Sequence, residues 1–83
     1  MDRGEVSDHA RVRLCQRLGQ FADPEVVLNA LWAGGRIARR ADFLSFGTYP
    51  KRGRAYRVAI LRGEKIIIVR EGTRFVTVIL TKK

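Results

Sequence analysis

Cysteine, histidine and acidic side chains are scarce in this chain. Its single cysteine, Cys15, excludes an intramolecular disulfide framework. One Cys and one His are also too few for the usual structural zinc sites, so neither metal nor cofactor is expected. The longest strongly apolar run, Ile66 to Val69, is far short of the ~20 residues that span a bilayer. The polar start lacks the pattern of a secretory signal, so a soluble, cytoplasmic protein without a membrane role is expected. No P-loop, dinucleotide-binding glycine pattern or nucleophile elbow occurs, and there is no repeat or low-complexity tract.

What the chain has is positive charge. There are 17 Lys and Arg against 8 Asp and Glu, a formal net charge of +9, and 13 of the 17 are Arg. The planar guanidinium binds phosphate with two parallel hydrogen bonds, whereas lysine would serve solubility equally well. Composition therefore points to RNA or another polyanion as partner, with codon bias or plain solubility as the competing explanation. Hydrophobic residues make up 46% of the 83, enough for one core, and residues 1–83 read as a single domain.

Capping and periodicity then mark out the elements. Ser7 caps a first helix over 8–18, with Asp8 in its first turn and Gly19 at its end. Asp23-Pro24 opens a second helix over 24–33, which Gly34-Gly35 stops. Arg36 to Phe46 is ambiguous, and its second half, Asp42 to Phe46, reads as a short strand. Gly47 to Gly53 is a basic loop. Strands follow near 54–62, 65–70 and 73–81, joined by the tight links Gly63-Glu64 and Glu71-Gly72. Strict alternation on the last strand sets Phe75, Thr77 and Ile79 on one face and Val76, Val78 and Leu80 on the other. The expected fold is α+β, with two N-terminal helices packed on a curved antiparallel sheet of three to four strands.

The candidate catalytic residues are His9, Arg13, Thr77 and Tyr56. His9, Arg13 and Arg17 stand at i, i+4 and i+8, one stripe along the first helix. A neutral imidazole there accepts a proton as general base, and the guanidiniums hold a phosphate. The competing reading is a solvated helix face. Cys15 lies toward the apolar side and reads as packing. Thr77 is the one polar group within Phe75 to Leu80, and its hydroxyl needs a partner. Tyr56 offers a proton or a stacking surface. Lys51, Arg52 and Arg54, between Tyr49 and Tyr56, form a basic loop suited to single-stranded nucleic acid, and Arg70 ends the central strand nearby.

The string His9-Ala10-x-x-Arg13-x-x-x-Arg17, a second helix carrying Val-Leu-x-Ala-Leu, and a closing Val76-Thr77-Val78-Ile79 strand resemble small RelE-like and colicin-like ribonuclease toxins of the barnase–EndoU–colicin–RelE superfamily. The link from Leu18 to Ala22 is longer than that group's usual connection. The resemblance implies two helices on a curved antiparallel sheet and metal-independent RNA cleavage by attack of the 2′-OH. It also implies an acid/base role for His9, phosphate contacts for Arg13 and Arg17, a site position for Thr77 and an acidic antitoxin as partner. The expected function is thus a basic RNA-binding domain acting as an endoribonuclease. The alternative is a non-catalytic effector or inhibitor, such as a phage-encoded one, on the same scaffold.

Overall fold

Two tight hairpins set the sheet. In a computed structural model, which describes residues 5–18 and 23–80 (the side chains of Glu5, Arg17 and Leu18 excepted), three long strands run as a meander: β3 (Ala55–Leu61), β4 (Glu64–Glu71) and β5 (Arg74–Leu80). Leu61 faces Glu64, and Glu71 faces Arg74. The turn residues are therefore Arg62-Gly63 and Gly72-Thr73, each one residue away from the expected link. Arg62 and Gly63 both take positive φ, 52° and 79°, the I′ geometry that matches the right-handed strand twist. Gly72 takes φ 60° at the first position of its turn, where II′ geometry calls for glycine.

Short strands close both edges. β1 (Glu5–Val6) lies parallel to β5, and β2 (Arg36–Ile37) lies antiparallel to β3, giving the order β1-β5-β4-β3-β2. β4 is central, as its apolar run requires. The architecture is the expected α+β, with four strands paired antiparallel and β1 added in parallel.

The first helix, α1 (Asp8–Leu18), packs on β5, and α2 (Pro24–Gly34) packs on β3 and β1. Asp23 caps α2 by accepting from the Val26 N–H at 3.3 Å. Ala10, Leu14 and Leu28 meet Ala59, Ile66, Ile68, Phe75 and Val78 in the larger core. The link 19–22 lies outside the described residues. No helix among the described residues is long and apolar enough to cross a membrane.

The other face of the sheet carries a correction. Asp42 to Phe46 is not a strand but part of a third helix, α3 (Arg40–Phe46). A short apolar run does not by itself distinguish strand from helix. Asp42 decides it by accepting from the Arg39 N–H at 2.8 Å, which satisfies a donor at the helix start. Its carboxylate, the one buried charged side chain among the described residues, also binds Arg36 through both oxygens, at 2.8 and 2.9 Å, and Lys65 at 3.0 Å. These bonds tie α3 to β2 and β4. Phe43 and Phe46, one turn apart, then cover Tyr56, Val58, Ile67 and Val69.

A bulge breaks the expected alternation on β5. Val69 faces Thr77 while Arg70 faces Phe75, so Val76 is an extra residue. Phe75, Val78 and Leu80 consequently share the α1/α2 side, and Val76 and Ile79 turn to the α3 side with Val69 and Ile67.

Candidate functional site

The site begins at Ser7, between β1 and α1. Its hydroxyl accepts from the Ala10 N–H at 3.1 Å, capping α1, and donates to the Val76 carbonyl at 2.7 Å. Its own N–H donates to the Phe75 carbonyl at 3.0 Å. Ser7 thus fastens the first turn of α1 to β5 at the bulge. That contact sets the exposed His9 at the end of the sheet, beside Val76.

Facing it are the ends of the long strands. Glu71 and Arg74 oppose each other across their turn, and the Arg54 Nε donates to the Glu71 carboxylate at 3.2 Å as the chain enters β3. With Ser7, His9 and Val76, these three residues line an open cleft of about 390 Å³. It holds one imidazole, one carboxylate and two guanidiniums. A solvated pair such as Arg54–Glu71 contributes only ~0–1 kcal/mol, so an arriving phosphate can displace the carboxylate from the guanidinium at little cost.

Only part of the candidate set converges there. His9 and Arg54 line the cleft. Arg13 is exposed one turn further along α1 and is not among the lining residues, and the Arg17 side chain lies outside those described. Thr77 is half-buried opposite Val69, placed by the bulge on the α3 side rather than beneath His9. Tyr56 is buried with its ring edge-on to Phe43 at 5.1 Å, and its hydroxyl accepts the Lys51 N–H at 2.8 Å. It supports the basic loop and is not presented to the cleft. Lys51 and Arg52 are exposed on that loop. Arg70 faces the helices, its guanidinium 5.5 Å from the Trp32 ring and 5.4 Å from Phe75. Its Nε is buried and has no hydrogen-bond partner. Arg57 completes this cluster, 4.6 Å above the Trp32 ring and donating to the Trp32 carbonyl at 2.7 Å. Those two arginines bind the C-terminal end of α2 to the sheet, a favourable place for positive charge.

Glu71 and Arg74 escaped the sequence reading because they flank a turn. They face each other only because the turn is Gly72-Thr73 and not the expected Glu71-Gly72, which would have put Glu71 inside it. Their meeting with His9 depends on β1 pairing with β5, which a two-residue strand does not announce. Among the described residues, no group of three His, Cys, Asp or Glu could hold a metal ion. No protein-family model, curated protein or solved structure matches the chain.

Proposed function

We propose that the chain is a small basic RNA-binding domain that cleaves RNA in the His9 cleft by general acid–base catalysis. The observation that carries this reading is the convergence of His9, Glu71, Arg54 and Arg74 on one cleft. A carboxylate only accepts protons, whereas an imidazole both accepts and donates. Glu71, released from Arg54 as the phosphate arrives, therefore takes the proton of the 2′-OH, and His9 delivers one to the departing 5′-oxygen. The 2′-oxygen bonds to phosphorus as the bond to the 5′-oxygen breaks, leaving a 2′,3′-cyclic phosphate and a 5′-hydroxyl. Arg54 and Arg74 hold the non-bridging oxygens, where charge builds in the transition state. The resemblance to ribonuclease toxins implies an acid/base role for His9; the sequence alone makes it the base, and here Glu71 takes that part and His9 the acid's. An acidic antitoxin would block the same arginines by charge complementarity.

The test is incubation of the purified chain with RNA in EDTA, followed by end-group analysis. Fragments ending in cyclic phosphate are expected, and His9→Ala and Glu71→Gln should each lower the rate by about 10²–10⁴-fold. Retained RNA binding without cleavage would leave a binding module, and the catalytic assignment would be wrong.

A further inference from the structure

Three hollows follow one another across the surface. The His9 cleft shares Arg54 with a second hollow of about 410 Å³, whose walls include Trp32, Ile37 and Arg57. That hollow shares Phe43 and Pro50 with a third, of about 460 Å³, completed by Arg40, Leu44, Thr48 and Tyr49. Guanidiniums stand along them, Arg54 and Arg74 in the first, Arg54 again beside the second and Arg40 in the third, while Arg57 in the second is held by Trp32. Between them lie apolar side chains left open to solvent, Ile37 at 75% exposure, Leu44 at 68% and Tyr49 at 80%. Among the described residues, Glu71 is the only acid lining any of the three, and Arg54 pairs with it.

Cations spaced along a groove with an exposed aromatic ring suit a single nucleic-acid strand, whose phosphates follow the charges while its unpaired bases stack. A duplex keeps its base faces inside and would leave Tyr49 unused. Resting on the RNA-cleaving role proposed above, we infer that a single RNA strand several nucleotides long lies across all three hollows. Its scissile phosphate sits in the His9 cleft and a distant base stacks on Tyr49. Affinity and substrate length are then set largely by the third hollow, around Arg40 and Tyr49, which takes no part in the chemistry.

Binding of 2′-O-methyl RNA, which lacks the attacking hydroxyl, separates the two roles. An oligomer of about ten nucleotides should bind more tightly than one of about three. Tyr49→Ala should weaken the longer one by about five- to hundredfold, with the salt slope and the shorter oligomer unaffected, and Tyr49→Phe should behave as the parent. Arg40→Ala should instead flatten the salt slope for the longer oligomer by about 0.7. Equal affinity of Tyr49→Ala and the parent for the longer oligomer would overturn the track. Continued cleavage of a dinucleotide in that event would leave the His9 cleft standing. A parent that binds neither oligomer and cuts no RNA would bring down both readings.

Discussion

Two carboxylates in this basic chain meet opposite fates. Glu71 stays near the surface with a single guanidinium and remains free to change partners. Asp42 is buried and fully engaged. The hydrogen bonds from Arg36, then the Arg39 N–H, outweigh desolvation, and with a further bond from Lys65 they hold its carboxyl well below the usual carboxylate range. A depressed folded-state value stabilises the protein above the unfolded value, about 3.9. The contribution is lost as pH falls through the folded one. Asp42→Asn should therefore cost about 2 kcal/mol at neutral pH, and urea titrations should show the gap from the parent narrowing below about pH 4. A gap that stays constant into strong acid would place the effect elsewhere. The sequence offered Asp42 only as a residue in a short apolar run, because its partners Arg36 and Lys65 come from two different strands.

At the scale of elements, adjacent glycines at the end of α2 have opposite tasks. A Cβ on Gly34 would stand in open space, whereas one on Gly35 would lie 3.0 Å from the carbonyl oxygens of both Leu31 and Val58. The second glycine lets the end of α2 close against β3. Gly34→Ala should raise stability by about 0.5–1 kcal/mol, and Gly35→Ala should lower it by about 1 kcal/mol or more, a contrast that thermal melts of the two variants resolve. The β3–β4 turn carries a different strain, since Arg62 occupies the left-handed region at φ 52°. Arg62→Asn should add about 0.5–1 kcal/mol by supplying the Asn-Gly pair that I′ turns favour, and an unchanged melting temperature would count against that account. Caps and turns were thus legible in the sequence to within a residue or two. The bulge at Val76 was not, because a strand's alternation conceals an extra residue until its partner is known. The same holds for α3, whose seven residues form a helix only because the sheet takes up Phe43 and Phe46 and because Arg36 and Lys65 reach Asp42.

For the molecule as a whole, charge is the property most plainly written in the composition. RNA affinity should fall linearly with salt on a logarithmic plot, by about 0.7 in slope for each phosphate neutralised on a single strand. Replacing Lys51, Arg52 and Arg54 together by Ala should reduce the slope by roughly 2, and an unchanged slope would place the contacts on other arginines. Which arginines share a face was less legible. Arg70 and Arg57 were as available on paper as Arg74, yet they bind Trp32 and fasten a helix instead. Rings and carbonyls from distant elements made that selection, and residue type alone does not show it.

The parallel pairing of β1 with β5 has a consequence in time. Ser7 and Val76, bonded in the finished protein, are 69 positions apart. Closing so long a loop costs more entropy than closing either hairpin, so it is favoured only after the meander has formed. His9 precedes Arg54, Glu71, Arg74 and Val76 in the chain, so synthesis delivers it first. Arg54 and Glu71 follow it, and the cleft is complete only once β5 has been made and has paired with β1. The cleft proposed to cut RNA therefore does not exist on the growing chain until β5 has left the ribosome.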